Sequence, residues 1–463
     1  MVINVPPVVK RFVAIVATLA DFVSKPQIAA VAMFITGIVL ARGKRTLAAI
    51  ARTTVRGGRY RGTVSRMTRS EAFRTRDLFT AAVRGFLELL GSAKRKIAGL
   101  LSRDYETWVL AIDDVATLRG GFTKIANGLH KRRPNETPGK KTRPASKSLT
   151  FVMGLLLMPA GARIPMPRKT WRTKEYAKAK GKKYVSKVTL AIDMVREALK
   201  LLPPHVQLVV VADALYDAEH FMKACRRLGV CVITSVDSAR VFADLGSAPF
   251  RRTARTLFDR GRQLPDAKFE RVSLKPGSER TASYRRRMAN GSRINGRRGR
   301  RVYRVARERR DVAKLGVVGV VYSHKRPVYR PRLSWKKESF KVLVCSDPQL
   351  PAALIVELYE LRWQVEIFFR ELKSGLGLGQ YLGTSFEAFE RLVDLTLLSY
   401  LFMEWLRLRA PDTLAHARLG RLKLEVERAA VRADLRMLER WLSSARGRKR
   451  VRGVVRKLRE AAA

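Results

Sequence analysis

Acidic residues are scarce in this sequence: 39 Asp and Glu stand against 94 Lys and Arg in 463 residues, a formal net charge of +55. So large an excess of one sign opposes folding by self-repulsion unless an anionic partner offsets it, and nucleic acid is the commonest such partner. A high-GC genome raises the arginine count, but it does not by itself produce a deficit of acids. The composition therefore favours a nucleic-acid-binding protein over a protein that binds a membrane surface or an acidic protein.

Cysteine and long apolar runs are also lacking. The three cysteines cannot make a disulfide framework and contain no C-x2-C pair of the zinc-binding kind, which fits a reducing, intracellular setting. The apolar run IAAVAMFITGIVLA (28–41) is too short to span a bilayer and has Lys25 and Arg42 close to its ends. We expect it to form a buried helix, and we expect no membrane partner.

Helical periodicity is present at both ends of the chain. Apolar positions recur at spacings of three and four in FVAIVATLADFV, RTLAAIART and DLFTAAVRGFLELL, and a basic segment (56–76) lies among them. Residues 1–100 are therefore predicted to be a helical N-terminal DNA-binding domain, with a helical cap on the next domain as the alternative. Residues 408–463 are predicted to be a basic helical C-terminal region.

Apolar runs of strand length alternate with helical segments in the middle of the chain. Near-continuous apolar strands with helices between them predict an α/β fold with a sheet covered on both faces. The first part of this core is placed at 101–245, and its last strand and a following helix at 341–407. Residues 246–340 are predicted to be a basic, mostly β insertion. The runs that carry this prediction are WVLAID (108–113), LTFVMGLLLM (149–158), LVVVAD (208–213), VCVITSV (230–236) and FKVLVCSDP (340–348).

Two of the predicted strands end in aspartate. Asp113, with Asp114 beside it, ends one apolar run, and Asp213 ends another. A carboxylate at the carboxyl end of a strand in an open α/β sheet points into the crevice where ligands bind. The alternative is that each aspartate only caps the helix that follows.

A third carboxylate lies in the stretch YELRWQVEIFFRELK (359–373), which predicts a helix of some twenty residues between Pro351 and Gly375. At about 100° per residue, one face of that helix carries Tyr359, Arg362, Glu366 and Lys373. An exposed ion-pair stripe is the alternative, but the broad apolar surface elsewhere on the helix favours a polar face that lines a cleft.

Asp113, Asp213 and Glu366 are thus candidates to hold two divalent cations. Oxygen ligands favour Mg²⁺ or Mn²⁺ over zinc. Two such ions clamp the attacking and leaving oxygens of an in-line phosphoryl displacement, which suits a protein rich in phosphate-binding charge.

The spacing Y-x2-R-x3-E-x6-K resembles the signature of the insertion-sequence-four family of DDE transposases. VVVADALYD around Asp213 is similar to that family's second-aspartate segment, and AIDD (111–114) to its first. The resemblance covers roughly residues 100–407 and implies an RNase H-like mixed sheet, interrupted by the β insertion. It also implies that Asp113 or Asp114, Asp213 and Glu366 ligate two Mg²⁺ ions. Val115 stands where the family often has Thr or Ser, so both members of the pair stay open, with Asp113 favoured because it ends the apolar run.

The resemblance further implies a cut-and-paste transposase that cleaves double-stranded DNA at terminal inverted repeats and joins the element to target DNA. It implies a homodimer on DNA in a prokaryotic cytoplasm, associated with the nucleoid. A catalytically silent DNA-binding relative and an RNase H-like nuclease or resolvase are the alternatives. The predicted DNA contacts are Tyr359, Arg362 and Lys373 at the cleaved phosphate, Trp335 (or Tyr303) on a flipped base, and Arg297, Arg298, Arg300 and Arg301 in an Arg/Gly-rich loop.

Overall fold

The computed structural model describes most of the chain. The described residues are 5–41, 45–53, 66–91, 106–119, 129–131, 146–158, 161–243, 256–274, 301–326, 339–380, 385–409 and 419–445, with a few single positions beside them. They group into two compact units, one made of residues 1–86 and 370–463 and the other of residues 87–369.

The first unit is helical. Its helices are α1 (Pro7–Thr18), α2 (Lys25–Leu40), α3 (Leu47–Arg52), α4 (Thr75–Gly91, which runs a few residues into the second unit), α11 (Phe386–Arg409) and α12 (Leu419–Leu442). A capping box starts α2, because the Gln27 side chain accepts from the Ser24 N–H at 2.8 Å and the Ser24 side chain accepts in return. Every residue of α2 from position 30 to 39 is buried, so the predicted buried helix is confirmed. Aromatic contacts between Phe12 of α1 and Phe402 of α11 help to form the core.

These helices bring the two ends of the chain together. The hydroxyl of Thr75 donates to Asp394 at 2.9 Å, and both residues are buried. N-terminal helices are therefore observed, but they share one unit with the C-terminal helices. Their separate DNA-binding role, like the other predicted domain boundaries, stays a prediction. Among the described helices, none combines the length and the apolarity that a membrane crossing requires.

The second unit is built on one mixed sheet of eleven strands. The strands are β1 (Glu106–Arg119), β2 (Leu129–Lys131), β3 (Ser146–Leu157), β4 (Arg163–Pro165), β5 (Lys169–Trp171), β6 (Val206–Ala212), β7 (Cys231–Ser235), β8 (Glu270–Leu274), β9 (Arg301–Val312), β10 (Gly316–Arg326) and β11 (Ser339–Cys345). Their order is β2-β3-β1-β6-β7-β11-β10-β9-β8, and β4 and β5 both pair with β3. The predicted mixed α/β architecture is confirmed, and it is consistent with an RNase H-like fold.

Parallel pairing is confined to the centre of this sheet. β1, β6 and β7 run parallel, and the other neighbours are antiparallel. Helices connect the central strands: α5 (Lys174–Ala179) and α6 (Lys187–Leu201) precede β6, and α7 (Glu219–Arg227) joins β6 to β7. Gly229 follows α7 at φ +70°, a left-handed conformation that lets the chain turn into β7. Residues 208–212 of β6 are buried, as expected of a strand with neighbours on both edges.

The predicted β insertion continues the same sheet. α8 (Leu257–Gln263) and β8 to β10 precede β11, and β10 pairs with β11 in register from Gly319↔Cys345 to Lys325↔Ser339. Strand β8 lies within the run KFERVSL (268–274), and β10 begins with GVVGVVYS (316–323). After β11 come α9 (Ala352–Glu360) and α10 (Trp363–Arg370), and then a π-helical turn (Glu371–Gly375).

Candidate active site

The two aspartates predicted at strand ends lie side by side in the sheet. The parallel pairing of β1 with β6 ends at Ile112↔Ala212, and Asp113 and Asp213 are the next residue of each chain segment. Opposed residues of neighbouring strands project to the same face, so the register places both carboxylates on one face of the sheet. The apolar runs before them are buried, which fixes this register.

Asp113 does not end its strand, which corrects one detail of the sequence-based prediction. β1 runs on to Arg119, because the antiparallel ladder with β3 continues from Asp113↔Met153 to Arg119↔Lys147 after the parallel partner has ended. Asp113 marks the end of the parallel pairing rather than the end of the strand. Asp213 does end β6, and its Oδ1 also accepts from the N–H of Leu215 at 3.0 Å, so it caps a short 3₁₀ helix (Ala214–Tyr216).

The predicted twenty-residue helix is wrong in one respect: it is broken at its middle. α9 ends at Glu360 and α10 begins at Trp363, and Arg362 lies in the turn between them. The backbone N–H of Arg362 donates to the Tyr359 carbonyl, and that of Val365 to the Arg362 carbonyl, three residues back in each case. These hydrogen bonds wind the backbone more tightly than an α-helix, so the side chains around Arg362 no longer follow the spacing of about 100° per residue. Arg362 and Glu366 are still in contact.

One guanidinium joins two of the predicted carboxylates. Arg362 Nη2 donates to Glu366 Oε1 at 2.6 Å, and Nη1 lies 3.4 Å from Asp113 Oδ2. The side chains of Arg362 and Asp113 are 13% and 15% exposed, and that of Glu366 is 32% exposed. Asp113 and Arg362 are therefore in contact although they lie 249 positions apart in sequence.

The carboxylates of this site perturb one another. Burial first, and then the charge of Asp213, raise the pKa of Asp113 to about 7, against the N–H of Asp114 and the charge of Arg362, which lower it. Burial also raises the pKa of Asp213, and the N–H of Leu215 and the charge of Arg362 oppose that rise. Two acids that share a partly buried site stay ionised together only if a further positive charge offsets their repulsion.

Asp114 faces a different cation. Its Oδ2 accepts from Lys187 Nζ at 2.6 Å, and the Lys187 ammonium also lies 5.2 Å from the centre of the Trp171 ring. Ser186 caps the first turn of α6 by accepting from the N–H of Thr189, which holds Lys187 at the start of that helix. Asp113 is the member of the pair that shares a guanidinium with Glu366, and Asp114 is the member that is ion-paired with a lysine.

Tyr359 packs against the same group of charges. It is 7% exposed, its ring centre lies 5.9 Å from Arg362 Cζ, and it hydrogen-bonds with Ser235 at the end of β7. Burial raises its pKa, and the nearby Asp213 charge acts in the same direction. Lys341 of β11 places its ammonium 5.7 Å from the same ring. The charges of Arg362 and Glu366 also act on Lys341.

Lys187, Lys341 and Tyr216 were missed by sequence reasoning. Tyr216 is fully buried, and no hydrogen-bond partner of its hydroxyl is found among the described residues. Its pKa is raised by burial first and then by the charges of Asp114, Asp113 and Asp213. The one available signal was its position three residues after Asp213 in VVVADALYD. Lys187 and Lys341 carried no signal, because single lysines are everywhere in this sequence.

The chemistry of these residues fits a divalent cation, but their present arrangement does not form a metal-binding group. Within the described part of the chain, no three His, Cys, Asp or Glu side chains are arranged as a metal-binding group. Three observations nevertheless favour a hard cation here: the donors are all carboxylates, they already share one positive charge, and the buried Tyr216 hydroxyl beside them lacks a partner within the described structure. Any bound ion requires Arg362 to leave the carboxylates it now contacts.

The other predicted DNA contacts are not among the residues that the structure shows in this cluster. Lys373 is exposed in the π-helical turn, which belongs to the other compact unit. Tyr303 is 3% exposed within β9, so it packs in the core and is not placed to stack on a flipped base. Trp335, Arg297, Arg298 and Arg300 fall outside the described residues, as does the side chain of Arg301 at the start of β9.

Comparison with protein families agrees with this geometry. Residues 176–402 match the family described as the transposase DDE domain, and this range contains Asp213 and Glu366. Residues 19–288 match the DDE superfamily endonuclease family, and this range contains Asp113 and Asp213. No curated protein matches the chain. The second family match covers more than half of the sequence, and the chain therefore belongs to the DDE superfamily of endonucleases; the first match shows that residues 176–402 are similar to transposase DDE domains.

Proposed function

We propose that this protein is a metal-dependent DNA transposase that cuts a mobile element out at its terminal inverted repeats and joins it to target DNA. One observation carries the proposal: carboxylates from β1 and from α10 contact a single guanidinium, and its charge also acts on the carboxylate that directly follows β6. The Y-x2-R-x3-E-x6-K spacing and the charge of +55 support the assignment to the insertion-sequence-four family and to DNA as the substrate.

Asp113, Asp213 and Glu366 are the proposed ligands of two Mg²⁺ ions, or of Mn²⁺ in their place. When bound, such ions activate a water or a 3′-hydroxyl as the attacking group and stabilise the leaving oxygen of the phosphodiester. Asp113 is preferred to Asp114 as the first ligand, because Lys187 already neutralises Asp114 at 2.6 Å. The buried Tyr216 hydroxyl, which has no partner within the described structure and is acted on by the charges of these aspartates, is proposed to orient one of the carboxylates as outer-shell donors do.

The cations around the carboxylates are the proposed contacts for the DNA backbone. Arg362 presents a planar fork that matches a phosphate, and Lys341 adds a second positive charge near the same Tyr359 ring. Lys373, Trp335 and the arginines at 297, 298, 300 and 301 are proposed as further DNA contacts. Binding of two element ends by a homodimer in the prokaryotic cytoplasm completes the proposal.

The direct test is a cleavage assay with a plasmid that carries the coding region and its flanking DNA, with Mg²⁺ as the only divalent cation. Glu366→Gln should lower the cleavage rate by more than the roughly 100-fold that loss of an outer-shell partner costs. Glu357→Gln, an exposed change on the neighbouring helix α9, is the matched control and should cleave like the wild type.

The outcomes separate the alternatives. Cleavage that Glu366→Gln leaves intact contradicts the site assignment. DNA binding without any cleavage by the wild type supports a silent DNA-binding relative. Cleavage without covalent joining of the element ends to a second duplex supports a nuclease or resolvase.

A further inference from the structure

Arg362 holds a position that no other cation among the described residues shares. Its two terminal nitrogens face Asp113 and Glu366, and its charge also acts on Asp213. The nearest comparable cations have other partners: Lys187 is bonded to Asp114, and Lys341 lies over the Tyr359 ring. A single guanidinium therefore contacts carboxylates from two separate segments of the chain, and its charge acts on a carboxylate of a third.

The same space cannot serve a guanidinium and a divalent ion together. Mg²⁺ demands oxygen ligands at about 2.1 Å in a near-octahedral shell, and Arg362 now faces Oδ2 of Asp113 and Oε1 of Glu366, two of the oxygens that an ion between these carboxylates would use. Arg362 and the ion also repel each other as like charges in a site whose side chains are mostly shielded from water. Entry of an ion between these carboxylates must break the contacts of Arg362.

We propose that Arg362 is a built-in placeholder for the divalent cation, which holds the carboxylates together in the metal-free protein and moves onto a DNA phosphate when the ion binds. The inference rests on the proposed function, since it takes the site to bind metal and DNA. A guanidinium released from two carboxylates in a partly buried site is costly unless a new anion receives it. The phosphodiester backbone offers that anion in a bidentate geometry.

Coupling between the two ligands follows. Metal binding frees the group that grips DNA, and DNA binding removes the group that competes with the metal. Each ligand then tightens the binding of the other by the same factor, as linkage requires. Arg362 thus offsets the negative charge of the carboxylates when the metal is absent, and the metal binds most tightly when the DNA substrate is present.

The test is Mn²⁺ binding to the full-length, metal-free protein without DNA, measured by titration calorimetry. Arg362→Met removes the competing cation and should bind Mn²⁺ about tenfold more tightly than the wild type, equivalent to about 1.4 kcal/mol. Lys341→Met is the matched control, because it removes one positive charge near Glu366 without removing a bridge to Asp113. It should change the affinity less than about threefold, the effect of through-space charge alone at high effective dielectric.

Two further variants keep the outcome decisive. If Arg362→Met does not fold, as judged by circular dichroism in EDTA, Arg362→Lys replaces it. A lysine keeps the charge but cannot span two carboxylates with a planar fork, so it should give an intermediate gain in affinity. Asp213→Asn tests the metal site itself and should weaken Mn²⁺ binding.

The possible failures are distinguishable. Mn²⁺ binding that is missing in the wild type, or unaffected by Asp213→Asn, overturns the metal site and with it the proposed function. Mn²⁺ binding that depends on Asp213 but is no tighter in the Arg362 variant than in Lys341→Met overturns the placeholder role alone.

Discussion

Replacing Asp113 by Asn should stabilise the metal-free protein while it removes activity. The pKa of Asp113 is raised from 3.8 to about 7, so the folded protein binds more protons than the unfolded chain between those values. The contribution of this group to stability therefore falls as the pH rises from about 4 to about 7 and is constant above that. A shift of about three units corresponds to a cost of about 4 kcal/mol for the ionised side chain, which is an upper bound.

Asn keeps the shape of the side chain and can still accept from the Asp114 N–H, but it never ionises. Urea unfolding in EDTA should show a gain for Asp113→Asn of about 2 kcal/mol at pH of about 5.5 and about 4 kcal/mol at pH of about 8. Comparing the two proteins at each pH cancels the other carboxylates that titrate in this range. A variant that is no more stable than the wild type at the higher pH, or a difference that does not grow with pH, would refute the electrostatic account of this site.

Three other variants test separate features of the structure. Tyr216→Phe should unfold at the same urea concentration as the wild type or slightly higher, because the buried Tyr216 hydroxyl has no partner within the described structure. The variant should nevertheless cleave DNA at least about tenfold more slowly, and a normal rate would contradict the orienting role. Burial lowers the pKa of Lys423 from 10.5 to about 7, so the free energy of unfolding should rise with pH between those values. Urea unfolding of Lys423→Met should show a smaller rise of the unfolding free energy with pH, and an unchanged rise would count against the burial of that ammonium. The Asp217 carboxylate is 1% exposed and accepts from Arg240 at 2.8 Å, so Arg240→Met leaves it buried without its cation. That variant should lose about 3–5 kcal/mol of unfolding free energy in urea. The double variant with Asp217→Asn should recover part of this loss if the ion pair is its cause.

The strands and the three acidic positions could be predicted because they have strong local signals. Buried parallel strands read as continuous apolar runs, so the residues that follow LVVVA and WVLAI could be recognised as a shared edge. Glu366 could be found from its spacing to Tyr359 and Arg362, which is a property of neighbours along the chain.

What the sequence could not show depends on contacts between distant segments. The continuation of β1 past Asp113 is decided by pairing with β3, some forty residues later. The break between α9 and α10 has no proline or glycine to announce it, because the residues there are Leu361 and Arg362. The bridge from Arg362 to Asp113 joins positions 249 residues apart, and periodicity carries no information on such pairs.

The continuity of the sheet has a consequence for protein engineering. β11, which leads to the helix of Glu366, shares only three residue pairs with β7 but seven with β10 of the insertion. Excision of residues 246–338 would take away most of the backbone hydrogen bonds of β11 and expose its edge to other chains. Strands β8 to β10 of the predicted insertion are thus an integral part of the sheet that carries the candidate site, and deleting them should destabilise that sheet.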